Sequence, residues 1–252
     1  MDNQITASGI VVSSMPVGET DKRVVLLTKE LGKISAFARG AVKPNSPLLA
    51  AGNPFCFGTF SLYSGRSAYT LRSVKITARF DELLKDLSGV WYGYYFLEVA
   101  EYYGRENVDE SVRLNLLYLT LRALEKKKQS FDLIRLVYEI RTLGCNGEYP
   151  NVFSCMGCGR PAAEADLGHF SVKAGGCYCS DCVEKKAGLP ADLRPLSVSA
   201  LYALQYILSS PLQKLYSFDL TPQVLEELTS LVRIWRRVYC GHKYKSEEFL
   251  GL

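Results

Sequence analysis

Two cysteine pairs with the same spacing place the strongest constraint on how this chain can fold. Cys155 and Cys158 form the first C-x-x-C pair and Cys179 and Cys182 the second, with twenty residues between the pairs. Such a turn brings two sulfurs to one side of the backbone, where both can bind a tetrahedral ion at roughly 2.3 Å. The spacing indicates a four-thiolate zinc site. Because four sulfurs leave no open position for water, the sequence predicts one structural zinc ion.

Three alternatives to this ligand set remain open. Cys177 lies two residues before Cys179 and could replace it, although the repeated spacing favours Cys179. His169 could be a ligand, although four sulfurs already fill the shell. Disulfides would need an oxidising compartment, and the first residues lack the basic and apolar stretches of a secretory signal. We therefore expect a cytoplasmic protein with reduced cysteines.

The composition is ordinary, but the charge is unevenly distributed. The 252 residues are 48% hydrophobic and 22% charged, which suits a globular protein with a substantial core. No run of eighteen apolar residues occurs, so we expect no transmembrane helix. Residues 1–80 hold ten Lys/Arg and four Asp/Glu, whereas the remainder holds twenty and twenty-two. This asymmetry favours a polyanion-binding module in the first 80 residues.

Residues 5–80 are predicted to be all-β. The expected strands are 5–14, 22–28, 34–39, 55–63 and 68–77, with turns at 30–33 and 64–67. Five short strands punctuated by glycine favour a small Greek-key barrel of the oligonucleotide-binding (OB) type. Gly9 and Gly58 lie within strands and are expected at bulges or tight corners. A loop at 41–47 is expected to lead into a helical turn at 48–51.

From residue 81 onward the apolar residues follow a helical period. Helices are predicted at 81–103, 109–127, 131–143, 195–208 and 221–239. Gly144 is the expected C-cap of the third, Ser197 or Ser199 the N-cap of the fourth, and Thr221-Pro222 the start of the fifth. We predict a multidomain α+β fold: an OB-fold barrel at 1–80 and a helical domain at 81–252, with a zinc-binding insertion at about 148–187.

The usual signatures of catalysis are missing from the sequence. Gly32-Lys33 is followed by Ile34, so it is not a phosphate-binding loop, and no H-E-x-x-H or G-x-S-x-G motif occurs. Only His169 and His242 could act as histidine bases. We therefore predict that the protein is not an enzyme. A reactive thiol at Cys177 beside the zinc is the remaining enzymatic alternative.

The basic residues of the predicted barrel form a candidate nucleic-acid surface. Neutralising phosphates releases counterions, and aromatic side chains can stack on unpaired bases. Phe37, Tyr63 and Tyr69 are interleaved with the cations, although strand aromatics more often pack in a core. Arg39 and Lys43 are the first choice for DNA contact. The candidate cations are Lys22, Arg23, Lys33, Arg39, Lys43, Arg66, Arg72, Lys75 and Arg79.

A second group of cations lies near the end of the last predicted helix: Arg233, Arg236 and Arg237. These side chains are candidates for contact with DNA or with an acidic peptide. They would equally complement the negative end of the helix dipole, so the two interpretations stay open.

The order of these parts resembles the RecO family of bacterial recombination mediators, over nearly the whole chain. In the barrel the similarity is carried by 9–12 (Gly-Ile-Val-Val), 27–33 (Leu-Thr-Lys-Glu-Leu-Gly-Lys) and 38–41 (Ala-Arg-Gly-Ala). Farther on it includes 131–133 (Phe-Asp-Leu), 139–144 (Glu-Ile-Arg-Thr-Leu-Gly) and 245–250 (Lys-Ser-Glu-Glu-Phe-Leu), together with the paired C-x-x-C motifs.

This resemblance implies a DNA-repair and recombination mediator without catalytic residues. RecO-like proteins bind single- and double-stranded DNA through the barrel and anneal complementary strands. They engage the acidic C-terminal tail of single-strand-binding protein and, with RecR, help RecA load onto coated strands. We therefore expect a nucleoid-associated protein with DNA, RecR, that tail and, indirectly, RecA as partners, and no membrane. The alternative is a zinc-stabilised interaction scaffold that does not bind DNA.

Overall fold

The computed structural model describes residues 4–65, 68–185 and 188–251. The chain divides into two compact units, Met1–Lys126 with Tyr244–Leu252, and Lys127–Lys243. The first unit extends beyond residue 80, so the boundary expected there stays a prediction. No helix in the described ranges combines the length and apolar character needed to cross a membrane.

A closed five-stranded barrel begins the first unit and confirms the predicted OB-type fold. The barrel closes in the order β1-β2-β3-β5-β4, because β4 also pairs with β1. β3 and β5 pair in parallel over a short stretch, and the other pairs are antiparallel. The strands are β1 (Gln4–Val17), β2 (Asp21–Thr28), β3 (Gly32–Ala38), β4 (Phe57–Ser64) and β5 (Tyr69–Ala78).

Gly9 and Gly58 lie opposite each other where β1 pairs with β4. A Cβ on Gly9 would lie 2.4 Å from the carbonyl oxygen of Leu27, and one on Gly58 would lie 2.4 Å from that of Lys75. Each glycine therefore lets its strand pass close to a neighbouring backbone, as a tight barrel corner requires. The β4–β5 register also shifts next to Gly58, which bends the sheet there.

Alternation along the strands fills the barrel interior. On β3, Ile34 and Ala36 are buried, whereas Phe37 faces outward. The segment between β3 and β4 adds buried residues to the same core, and its Gly52 amide donates to the Leu48 carbonyl (2.8 Å), so residues 48–51 make one turn without forming a helix. The core includes Val11, Val24, Leu26, Ile34, Ala36, Leu48, Phe60, Leu62 and Leu71.

Helices and three short strands make up the rest of the chain. All five predicted helices are present, whereas the elements of two to five residues were not predicted, because such short segments show no period. α1, α2 and α7 belong to the first unit and the others to the second. In chain order they are α1 (Leu87–Tyr103), α2 (Ser111–Lys126), α3 (Phe131–Cys145), β6 (His169–Ser171), β7 (Gly176–Tyr178), α4 (Ser180–Glu184), β8 (Arg194–Pro195), α5 (Val198–Ser209), α6 (Pro222–Tyr239) and α7 (Glu247–Leu250).

The start of α1 lies later than predicted. A 3-10 turn at Leu83–Lys85 occupies the beginning of the expected helix, and the Asp86 carboxylate then caps α1 by accepting from the Gly89 amide at 3.1 Å. The predicted caps of the last two long helices are confirmed. Ser197 accepts from the amide three residues on in α5, and Thr221 does the same in α6.

Gly144 is not the C-cap predicted for the third helix. α3 continues through Cys145, and Asn146 is its C-cap. A Cβ on Gly144 would lie 2.8 Å from the ring of Tyr149, so this glycine permits close packing of an aromatic ring. The left-handed turn expected after a helix is instead made by Gly147, whose φ is +87°.

The segment 244–251 packs on α1 within the first unit. The Glu98 carboxylate accepts hydrogen bonds from the backbone amides of Lys245 and Ser246, both at 2.9 Å. Tyr244 is fully buried, and Phe249 stacks on a tryptophan of α1 with ring centroids 4.2 Å apart. This segment therefore covers one face of the helix.

Replacing Gly58 with alanine should destabilise the barrel, because the new Cβ would lie 2.4 Å from the Lys75 carbonyl oxygen. Overpacking of this kind costs about 1–3 kcal/mol. Thermal unfolding followed by circular dichroism measures the loss. Gly168→Ala is the matched control, since its nearest new neighbour lies at 3.5 Å. Equal melting temperatures for the two variants would contradict the assignment of Gly58 to a tight corner.

Candidate metal centre and nucleic-acid interface

The four cysteines of the paired motifs come together in the second unit. The ligand atoms of Cys155, Cys158, Cys179 and Cys182 all lie within 4.8 Å of one another. The sulfurs of Cys158 and Cys179 are 3.7 Å apart. A tetrahedron with metal–sulfur distances of roughly 2.3 Å has edges of about 3.8 Å, so this donor set fits one tetrahedral metal ion.

Local backbone geometry brings the sulfurs to one side. The Gly157 amide and the Cys179 amide donate to the Cys155 sulfur at 3.4 and 3.2 Å, which is the pattern that favours a thiolate. A Cβ on Gly157 would lie 3.0 Å from the Cys182 sulfur, so glycine lets the second pair approach. Gly159, with φ +76°, completes the first turn.

A charged pair connects the two halves of this cluster. The Arg160 guanidinium donates to the sulfurs of Cys158 and Cys179, both at 3.4 Å, and forms an ion pair with Asp181. The hydrogen bond from Arg160 holds the pKa of the Cys158 thiol well below its usual value. Arg160 is therefore positioned to stabilise the thiolate form that a metal ion requires.

The other candidate ligands lie outside this group of four. Cys177 is fully buried on β7, and burial raises the pKa of its thiol to about 12. A thiol with so high a pKa is a poor nucleophile, which argues against the reactive-thiol alternative. His169 pairs with Tyr178 across β6 and β7 and supplies no atom to the group. In the described part of the chain all four clustered cysteines are free thiols, without a disulfide.

The loop that follows β3 carries Arg39 and Lys43, both exposed. Between them Gly40 adopts φ +67° and donates its amide to the Asp21 carboxylate at 2.8 Å. The Lys43 amide donates to the Gly40 carbonyl at 3.1 Å. The bond from Gly40, together with the Thr20 hydroxyl and the nearby cations, keeps the pKa of Asp21 below its usual value. Asp21 thus holds the turn between the two cations.

A row of outward-facing side chains crosses the barrel: Met15, Arg23, Phe37, Thr70 and Tyr63. We call it the barrel row. Its members occupy successive paired positions on β1, β2, β3, β5 and β4, and none of them is buried. Phe37 is 38% exposed and pairs with Arg23. The row therefore places an accessible aromatic ring at the strand position opposite Arg23, whose guanidinium donates to the Ser35 hydroxyl at 3.0 Å.

The remaining barrel cations differ in whether their charged groups already contact another group of the fold. Arg72 stacks on the Tyr63 ring at 4.5 Å, and Lys75 is exposed. The Lys33 amine donates to the Glu101 carbonyl (2.8 Å) near the end of α1, so its charge is used within the fold. The Lys22 amine donates to an asparagine side chain at 2.6 Å. Arg66 lies outside the described residues.

The three arginines of α6 also differ, since one forms an ion pair within the fold and two are exposed. Arg236 pairs with Glu139 of α3 at 3.1 Å, and Glu139 is only 7% exposed. Removing either partner would leave a buried charge uncompensated, so Arg236 has a structural role. Arg233 and Arg237 are exposed and remain the two candidates for contact with DNA or an acidic peptide.

Sequence reasoning missed Met15, Asp21 and Arg160. Asp21 is an acid followed directly by two cations, Lys22 and Arg23. This change in the sign of the charge within a basic segment could have identified Asp21 from the sequence. Arg160 follows Cys158 by two residues, close enough to reach a ligand. Met15 gave no signal, because its exposure depends on pairing across the barrel.

The closed barrel, the helices and the four-cysteine cluster define a class: OB-fold proteins with a potential metal-binding insertion. Family models narrow the class. "Recombination protein O N terminal" matches residues 1–80, and "Recombination protein O C terminal" matches residues 84–248. The chain therefore belongs to the RecO family.

Curated relatives agree with this assignment, and each is named "DNA repair protein RecO". The protein from Acetivibrio thermocellus is 32% identical over 248 residues, 98% of this chain and 96% of that protein. The protein from Bacillus pumilus is 32% identical over 98% of this chain and 93% of its own length. The protein from Bacillus subtilis is 30% identical over 96% and 92%.

Asp21 should make the stability of the barrel depend on pH. Its pKa is lowered in the folded state, so its contribution is fully present above the unfolded pKa of about 3.9 and is lost as the pH falls from there through the lower folded-state pKa. Asp21→Asn removes the charge but keeps an oxygen for the Gly40 amide. We expect this variant to lose less melting temperature than the wild type between about pH 5 and pH 3.

Asp219→Asn, in an exposed turn of the second unit, is the matched control and should follow the wild-type profile. If the Asp21 variant and the wild type lose equal melting temperature over this range, Asp21 does not hold the loop through its charge.

Proposed function

We propose that this protein is a non-enzymatic mediator of DNA repair and recombination that binds single- and double-stranded DNA and anneals complementary strands. Membership of the RecO family supports a role in DNA repair. The observation that carries the DNA-binding part is the barrel row beside the exposed loop cations Arg39 and Lys43. This surface offers phosphates positive charge and offers unpaired bases an aromatic face.

Electrostatics explains how such a surface could favour annealing. Cations that neutralise phosphates release counterions and supply affinity independent of sequence. Phe37, exposed beside Arg23, can stack on a base of any kind, since every base has a π-face. A bound strand carries less repulsive charge toward its complement. Annealing by this route needs no nucleotide hydrolysis.

The partners follow from the family. We propose that the protein acts with RecR to help RecA load onto DNA coated by single-strand-binding protein, and that it contacts the acidic C-terminal tail of that protein. Arg233 and Arg237 are exposed cations suited to an acidic tail, whereas Arg236 is held by Glu139. Association with the nucleoid would follow from DNA binding.

Zinc is the metal we propose for the four-cysteine cluster. Four sulfur donors at tetrahedral spacing suit zinc. Cys155, Cys158, Cys179 and Cys182 would hold the ion, and it would supply folding energy to the segment around β6 and β7. With all four positions taken by sulfur, the site would have no place for a substrate.

Reversing the loop charges should weaken DNA binding and annealing. Arg39→Glu/Lys43→Glu removes two contacts with phosphate, so the log–log salt slope on single strands should fall by roughly 0.7 per lost contact. Affinity is measured by fluorescence anisotropy over a salt series. Annealing is measured on bare DNA and on DNA coated with single-strand-binding protein.

Lys126→Glu/Lys128→Glu is the matched control, since it makes the same change in net charge on exposed residues at the end of α2. This control should retain most of the affinity and the annealing rate. A loop variant that anneals like the wild type would show that DNA binds elsewhere.

Metal analysis should find about one zinc ion per chain in protein purified without chelators, as a closed four-ligand site demands. Cys155→Ser/Cys158→Ser should lose the zinc and the ordered structure of the segment around β6 and β7, as seen by limited proteolysis. Cys145→Ala is the control, because Cys145 lies outside the cluster. Wild-type protein without zinc, or a double variant that retains it, would overturn the assignment.

A protein-interaction scaffold is the second candidate function. α5 exposes Val198 (75%) and Tyr202 (69%) one helical turn apart, and exposed apolar pairs of this kind favour a protein interface. A scaffold would co-purify with an acidic protein yet give no DNA mobility shift at moderate salt. The salt series above distinguishes the two functions.

A further inference from the structure

One charged side chain joins both halves of the metal centre without being a ligand. Nε of Arg160 donates to the Cys158 sulfur at 3.4 Å, and Nη2 donates to the Cys179 sulfur at 3.4 Å. Cys158 belongs to the first C-x-x-C pair and Cys179 to the second. A single guanidinium group therefore contacts a sulfur of each pair.

The carboxylate of Asp181 fixes the orientation of this guanidinium. It forms an ion pair with Nη2 of Arg160 and lies between the two cysteines of the second pair. A group that hydrogen-bonds to a metal ligand typically changes metal affinity or activity by a factor of 10–100 when it is mutated. Arg160 has this relation to the sulfurs of Cys158 and Cys179, and Asp181 holds Arg160 in place.

The four sulfur ligands are not equally accessible. Cys155 and Cys179 are buried, Cys182 is half-buried, and Cys158 is exposed. A chelator or an electrophile arriving from solvent therefore meets Cys158 first. Arg160 is 40% exposed and contacts this sulfur, so an attacking molecule must pass or displace the guanidinium.

Charge explains why this contact would matter. Four thiolates around one zinc ion carry a net negative charge, which makes the sulfurs nucleophilic and open to protons. A guanidinium offsets part of that charge, and each N–H···S hydrogen bond withdraws electron density from a sulfur. The first effect reduces the repulsion among the four thiolates and so helps the site to keep its ion, and the second lowers the reactivity of the sulfur.

We propose that Arg160, oriented by Asp181, is a positioning residue that protects Cys158 from electrophiles and slows the loss of metal from this centre. The proposal rests on the proposed zinc site. Arg160 supplies no ligand atom, so its removal leaves the ligand count unchanged. Its effect is on the rate of metal release and on the reactivity of one sulfur.

The test uses zinc-loaded full-length protein and two measurements. The first is the rate of zinc transfer to a coloured chelator in excess. The second is alkylation by N-ethylmaleimide, mapped by mass spectrometry. In that reaction the sulfur adds to the maleimide double bond, the zinc–sulfur bond breaks, and water supplies the proton to the ring carbon. The variants are Arg160→Gln, Arg160→Lys and Asp181→Asn, with Arg105→Gln, at an exposed position outside the proposed binding surfaces, as an arginine control.

Arg160→Gln should release zinc on the order of 10–100 times faster than the wild type, and among the four clustered cysteines alkylation should appear first at Cys158. Arg160→Lys keeps the charge but not the two-nitrogen geometry. Its rate of zinc release should therefore lie between those of Arg160→Gln and the wild type. Asp181→Asn should change release in the same direction by a smaller factor. Arg105→Gln should match the wild type.

Unchanged release and alkylation in Arg160→Gln, at full zinc content and wild-type circular dichroism, would overturn the proposal. So would first alkylation, among the four clustered cysteines, at Cys155, Cys179 or Cys182. If Arg160→Gln does not fold, Arg160→Lys and Asp181→Asn decide the question by the same two measurements. Wild-type protein without zinc would instead mark failure of the proposed metal.

Discussion

The fold of the first unit depends on strand β1, which closes the barrel by pairing with a neighbour on each side. β1 pairs with both β2 and β4, and at Gly9 it pairs with Thr28 on one side and Gly58 on the other. A shift of one residue would turn every side chain of β1 to the opposite face. The contact at this corner therefore also fixes which residues face outward. The β2–β3 register then pairs Arg23 with Phe37 in the barrel row.

The segment that carries the cysteine cluster has little regular structure of its own to hold it in place. β6, β7 and β8 are only two or three residues long, and strands so short do not form a stable sheet by their own packing. A metal ion gathers distant segments at one point and so replaces a hydrophobic core of adequate size. The glycines around the cysteines serve the approach of the sulfurs. The second unit thus combines helices that pack by burial with a segment that the proposed metal ion would hold together.

Local patterns were readable from the sequence, whereas partners distant in sequence were not. Strand alternation, helical period and the C-x-x-C pairs each act within a few residues, and the structure confirms the barrel, the helices and the grouping of four cysteines. The prediction that Gly144 is a C-cap was wrong because this glycine is needed for packing against Tyr149, which no local pattern shows. Lys33 and Arg236 looked like surface cations, yet their partners lie 68 and 97 residues away. No local pattern separates them from Arg39.

The packing of segment 244–251 on α1 has a consequence for synthesis. The first unit is discontinuous, since the whole second unit separates its two pieces in sequence. A ribosome adding 5–20 residues per second would complete this unit roughly ten seconds after it had made α2. During that interval Trp91 and Tyr95 lack the aromatic rings that later cover them. The nascent chain therefore exposes an apolar helix face that a chaperone could bind.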